Sequence, residues 1–155
     1  MNVKDTARKQ YVQIIDRTAK QLESLKKPTE GWLSVLRKAL DMSGAEVAAR
    51  ASVSRNAVYQ AERNERDGAI TINQMRKLAE AMGAHFVYAI VPDNGGVESI
   101  IRAQARCKAE ARIKRASAHM ALEKQSLTSA QIAQRIEDLA DELIRDRPPD
   151  FWEVK

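Results

Sequence analysis

Apolar residues recur at three- and four-residue spacing along most of this chain, the period of helices with one buried face. Residues 5–26 carry such a stripe: Ala7, Tyr11, Ile14 or Ile15, Thr18, Leu22 and Leu25, closed by Pro28. Trp32 to Leu40 predicts a second helix with Leu33, Leu36 and Leu40 on one face, and Trp32 packing against it. Ser43-Gly44-Ala45-Glu46 is a capping box, in which hydroxyl and carboxylate exchange hydrogen bonds with the first-turn amides, so a third helix starts at Gly44 and runs to about Arg50. Ala51-Ser52-Val53 is a tight connection, and Ser54 is an N-cap for a fourth helix to about Arg63. Asn64 to Gly68 reads as a polar loop. Thr71 then caps a fifth helix to Met82, with Ile72, Met75, Leu78, Ala79 and Met82 inward, and Gly83 stops it.

The period changes at His85-Phe86-Val87-Tyr88-Ala89-Ile90-Val91, a β-branched and aromatic run closed by Pro92 that predicts one short strand. A lone strand has no partner in the chain, so it either lies against the helices or pairs with its copy in a second subunit. Asp93-Asn94-Gly95-Gly96 is a linker. Val97 to Gln125 predicts a long helix with a thin seam of Ile101, Ala105, Ala109, Ile113, Ala116 and Met120 among Arg102, Arg106, Arg112, Lys114 and Arg115. Thr128 opens a last helix to about Arg145, apolar through Ile132, Ile136, Leu139 and Leu143 and acidic through Glu137, Asp138, Asp141 and Glu142. Pro148-Pro149 ends it, and Phe151 and Trp152 either tuck back or dock on a partner.

These elements predict an all-α protein in three parts: a basic N-terminal helix at 1–29, a helix-turn-helix domain at 30–92 and a helical C-terminal region at 93–155 for oligomerisation or partner binding. The two short helices joined by a three-residue link carry the pattern, and Val47, Ala48, Ala51, Val53, Val58 and Ala61 are small enough to let them cross closely. Aromatic residues are only 5% of the chain, so the core is aliphatic. The net charge of +5 is uneven: +4 over 1–27, +1 over 28–92, +3 over 93–127 and −3 over 128–155. That pattern suits a polyanion at one place and a protein at another, or solvated helix faces with no partner.

A single cysteine, Cys107, excludes an intrachain disulfide, and His85 and His119 lack ligand spacing, so no metal or cofactor is expected. No apolar run approaches the ~20 residues of a membrane span, and the polar N-terminus lacks a signal peptide's apolar region. A cytoplasmic protein is expected. No nucleophile and base are suitably spaced, so the chain is read as not an enzyme.

The stretch VAARASVSRNAVYQAE resembles the helix-turn-helix of lambda-repressor-like (XRE-type) DNA-binding domains, and the likeness covers about residues 32–84. Ser52 stands where that family prefers Gly, and Gly44 stands where many members have Gln, whose phosphate contact is then lost. A narrower resemblance, carried by GWLSVLRKALDMS, TINQMRKLAEAM, VYAIVP and AHMALEKQ, is to the mobile mystery protein A family, typically encoded beside a Fic-type partner. It implies a toxin–antitoxin setting. Inhibitory helices of Fic antitoxins resemble Ser/Thr-x-x-x-Glu-Gly/Asn, and no Glu here has Ser or Thr four residues before it, so neutralisation would need another surface.

Such a domain reads base edges with donors and acceptors near the start of its second motif helix. With Ser54 as N-cap, the expected base contacts are Arg55, Asn56, Tyr59 and Gln60, Tyr59 through a thymine methyl or a phosphate. Phosphate contacts are expected from Ser43, Gly44, Ser54, Arg63, Asn64 and Arg66. Arg37 and Glu62 match positions that form a buried ion pair in the resembling fold. The partners implied are a two-fold symmetric DNA operator, a second copy of the chain and a Fic-type protein. The leading expectation is an autorepressor; the alternatives are an antitoxin that binds its partner protein directly and an architectural DNA binder using the basic 97–125 helix.

Overall fold

The computed structural model describes residues 2–122 and 127–153, and these form seven helices. They are α1 (Val3–Gln21), α2 (Trp32–Ala39), α3 (Gly44–Ala51), α4 (Arg55–Asp67), α5 (Ile72–Ala81), α6 (Val97–Leu122) and α7 (Ser129–Asp146). The chain divides into two compact units, one of Leu22–Ala89 and one of Met1–Gln21 with Ile90–Lys155.

Within the first unit, Leu33, Val47, Ala48, Ala51, Val58, Ala61, Met75, Leu78 and Met82 form one buried cluster, flanked by Leu36, Met42, Val53, Ile70 and Phe86. Alanines at 48, 51 and 61 remove the bulk that would hold α3 and α4 apart. The two helices are joined by Ser52, Val53 and Ser54. Ser52 takes the left-handed conformation, φ 55°, and its amide donates to the carbonyls of Ala48 and Ala49, closing the end of α3 as glycine usually does.

Capping is local at α3, α4, α5 and α7. Ser43, Ser54, Thr71 and Thr128 each accept from a first-turn amide, with reciprocal boxes to Glu46, Gln74 and Gln131. It is remote at the starts of α2 and α6. The Glu65 carboxylate accepts from the amides of Trp32 and Leu33 at 2.6 and 2.9 Å and so caps α2 from α4. Asp16 accepts from the amide of Val97 at 2.9 Å and caps α6 from α1. Each remotely capped helix follows a glycine, and a Cβ on Gly31 or Gly96 would meet that carboxylate at about 3 Å.

In the second unit α6 and α7 are antiparallel, since Arg102 pairs with Asp141 and Arg106 with Glu137. Ala105, Ala109 and Ala140 are fully buried where the backbones approach, with Ile101, Leu143 and Phe151 completing the cluster. Phe151 is held by Gln104 Nε2, which donates to its carbonyl at 2.7 Å. Lys108 Nζ donates to the Asp150 carbonyl and lies 3.4 Å from the Asp150 carboxylate.

The hydrogen bond and charge of Lys108 hold the Asp150 carboxyl below its ordinary value, with Arg112 adding to the effect. A lowered folded-state pKa adds stability above the unfolded-state value, and that stability is lost as pH falls through the folded-state one. The Asp150→Asn variant should therefore melt lower than the wild type at neutral pH and converge with it in strong acid. Thermal midpoints of the two across the acid range check this, and a constant gap at every pH would refute it.

Several sequence expectations are corrected. No strand occurs among the described residues: 84–92 is without regular structure, with Val87, Tyr88 and Ile90 exposed. Strand propensity needs a pairing edge, and α-helices supply none. Helix α1 stops at Gln21, before Leu22 and Leu25, and buries none of its residues. Asn64 to Asp67 is not a loop but the last turn of α4, which Gly68 ends at φ 80°. Ile72 and Trp32 are exposed rather than packed. The seam of α6 is interior at Ile101, Ala105 and Ala109, where it packs with Ala140 and Leu143 of α7. The end of the expected helix at 123–125 lies outside the described residues.

Candidate nucleic-acid interface

Helix α4 sorts its side chains by charge. Val58 and Ala61 are buried in the core, and Glu62 and Glu65 turn inward with them. Arg55, Asn56, Gln60, Arg63 and Arg66 are exposed. The near-neutral composition of this stretch thus conceals a basic outer surface, because two of its carboxylates serve the interior.

Glu62 answers Arg37. Arg37 Nε donates to Glu62 Oε1 at 2.6 Å, Nη2 donates to Oε2 at 3.3 Å, and Nη1 donates to the Met42 carbonyl at 3.1 Å. The side chains are only 13% and 6% exposed. The hydrogen bond to Glu62 raises the Arg37 pKa further, against the opposing effect of burial. This fork ties α2 to α4 and orients α4 on the domain.

The outward residues form two groups. Near the start of α4, the guanidinium carbons of Arg37 and Arg55 lie 5.5 and 5.7 Å from the centre of the Tyr59 ring. That ring also covers the start of α3: a Cβ on Gly44 would come within 2.5 Å of Tyr59 Cζ. One turn on, Gln60 Nε2 donates to Asn64 Oδ1 at 2.8 Å and Arg63 Nη2 donates to Gln60 Oε1 at 2.9 Å. Asn56 stands exposed in the first turn between these groups.

The residues expected at phosphates are placed less uniformly. The Ser43 amide donates to Glu46 Oε2 at 2.7 Å, and Gly44 is buried beneath Tyr59. The Ser43 amide is therefore not the bare donor that an anion at a helix start would use, and the Tyr59 ring covers Gly44. The Ser54 hydroxyl accepts from the Ala57 amide at 3.1 Å while remaining exposed. Arg63 and Arg66 project from the second half of α4, and the Asn64 carbonyl closes that helix by accepting from the amides of Gly68, Ala69 (2.7 Å) and Ile70 (3.2 Å). Sequence reasoning missed Arg50, whose Nε donates to the Ala81 carbonyl at 2.5 Å and ties α3 to the end of α5. It also missed Glu65, since a cap supplied from another helix leaves no local pattern.

Part of the basic side of α6 is engaged within its own unit: Arg102, Arg106, Lys108 and Arg112 pair with Asp141, Glu137 and Asp150, while Lys114 and Arg115 are exposed. Among the described residues no His, Cys, Asp and Glu group could hold a metal ion, and no helix is long and apolar enough to cross a membrane.

Residues 33–88 match the helix-turn-helix family model, which makes α2 to α5 a helix-turn-helix domain of the XRE type. No curated protein and no solved structure matches the chain.

Proposed function

We propose that this protein is a sequence-specific DNA-binding transcriptional regulator that lays α4 in the major groove. The observation that carries this reading is the exposed, basic start of α4, with Arg55, Asn56 and Gln60 on its outer side, set on a core that buries the acidic residues of the same helix. Arg55 can take guanine O6 and N7, and Asn56 or Gln60 can take adenine N6 and N7. Ser54, Arg63, Asn64 and Arg66 would contact phosphates, setting affinity and salt dependence rather than sequence choice.

One such helix reads a half-site, so the protein acts as a homodimer on a two-fold symmetric operator, with half-sites about 34 Å apart. Its own promoter is the natural target, which it would repress by occupancy. The resemblance to the mobile mystery protein A family adds a Fic-type protein as partner. The exposed Trp152, beside the buried Phe151, is a surface such a partner could use. The acidic side chains of α7 support that contact less, because Glu137 and Asp141 already pair with α6. Pairing of Arg102, Arg106, Lys108 and Arg112 also weakens the architectural reading, since it leaves Lys114 and Arg115 as the exposed part of that stripe.

The test is an anisotropy titration against the protein's own upstream DNA with scrambled competitor. The wild type should bind through excess competitor, and Arg55→Ala/Gln60→Ala should lose that preference, roughly tenfold or more at each base pair read. Binding that salt erases and the double substitution leaves unchanged would overturn the proposal.

A further inference from the structure

The Tyr59 ring touches three things that have no common structural need. Below it lies Gly44, at the start of α3, where any Cβ would strike the ring at Cζ, Oη and Cε2, all within 2.8 Å. Against it lies Arg37, whose guanidinium is fixed by Glu62 and the Met42 carbonyl. Also against it lies Arg55, an exposed first-turn residue of α4. An exposed arginine has many rotamers, and ordering it on binding costs affinity unless something orders it beforehand. A ring face attracts a guanidinium and can hold it in one place.

We propose that Tyr59 is a positioning residue: its ring, seated on Gly44 and braced by the Arg37–Glu62 pair, holds the Arg55 guanidinium in the conformation that reads a base, and Tyr59 itself reads none. The inference rests on the proposed DNA-reading role of α4 and names how that helix's specificity is set. It accounts for the glycine at 44, which the capping box alone does not require, since a box works with most residues at that position. It also places Tyr59 differently from its neighbour Gln60, whose amide is hydrogen-bonded to Asn64 and Arg63. The chain of contacts runs from a buried carboxylate to an exposed guanidinium: Glu62, Arg37, Tyr59, Arg55.

The experiment uses the full chain and a duplex selected from a random-sequence pool by the wild type. The quantity read is the ratio of affinities for the selected and a scrambled duplex. Arg55→Ala should lower the ratio roughly tenfold. Tyr59→Leu and Gly44→Ala should lower it comparably, the first by removing the ring and the second by displacing it. Tyr59→Phe should restore it to within about twofold of the wild type, and Tyr59→Leu/Arg55→Ala should be no worse than either single variant, as expected when one residue acts through another.

Losses that multiply in the double variant would make Tyr59 an independent contact and overturn the proposal. So would a loss in Tyr59→Phe equal to that in Tyr59→Leu, which would give the role to the hydroxyl. A Tyr59→Leu protein that melts lower but keeps its ratio would show packing alone. A wild type that selects no sequence would remove the DNA-reading function itself, and is distinguished from the other outcomes because it needs no variant.

Discussion

Replacing Glu62 with alanine should cost the helix-turn-helix domain about 3–5 kcal/mol, a large part of the roughly 5–15 kcal/mol that holds a domain folded. The reason is what the substitution leaves behind. The Arg37 side chain is only 13% exposed, and a guanidinium cannot shed its proton to escape an apolar setting. Two of its three hydrogen bonds end on Glu62; the third, to the Met42 carbonyl, cannot neutralise it. The paired replacement Arg37→Met/Glu62→Leu should recover most of the loss, because it removes both charges and fills the space with apolar volume. Urea denaturation of the full chain, followed by hydrogen exchange in α2 to α5, measures both. A Glu62→Ala unfolding free energy lowered by no more than about 0.5 kcal/mol, the range of ordinary surface changes, would show that the pair does not hold α2 to α4.

The second large effect is expected at Glu65. Its carboxylate is 5% exposed and is the acceptor for the Trp32 and Leu33 amides. Removing it with Glu65→Ala leaves two donors at a helix start with no partner, at a cost of about 1–3 kcal/mol for each buried group of this kind and so roughly 2–6 kcal/mol for the two. Glu65→Gln keeps one acceptor oxygen but loses the charge that the helix start favours, and should fall between the two. Gly31→Ala should be similarly harmful for a different cause. Gly31 sits at φ 88°, ψ 156°, a region that essentially only glycine enters, and a Cβ there would lie 3.0 Å from the Glu65 carboxyl atoms. Thermal midpoints rank the variants; a Glu65→Gln protein less stable than Glu65→Ala would contradict the capping role.

What the sequence revealed and what it concealed divide along the same line. Ser43, Ser54, Thr71 and Thr128 announce their helices because each cap is complete within four residues. Their helices start where the spacing says they should. The caps on α2 and α6 come from Glu65 and Asp16, 33 and 81 residues away, and no local pattern encodes such a pairing. The error at 64–68 has the same origin. A polar cluster before a glycine reads as a loop, yet Glu65 is polar because it serves a distant helix, and α4 continues through it to Asp67. The expected strand at 85–91 failed for the opposite reason: its propensity is real, but propensity supplies no partner for its backbone. At the candidate interface, residue types and order were legible in Arg55, Asn56, Tyr59 and Gln60. Their division into exposed side chains and a braced ring was not, because it depends on Gly44 and Arg37, which belong to other helices.

The carboxylate of Asp16 and the amide it caps are separated by the whole helix-turn-helix domain in the order of synthesis. A ribosome adding about 5–20 residues per second needs roughly 4–16 s to travel from one to the other. During that interval α1 has emerged without the helix it will meet, while the domain behind it already has every residue of its own core. Birth order therefore favours the helix-turn-helix domain maturing first and the unit of α1, α6 and α7 closing last. Tyr11 and Ile14 on α1, still exposed in the finished protein, are then the apolar surface that a nascent chain shows longest and that a chaperone would meet first.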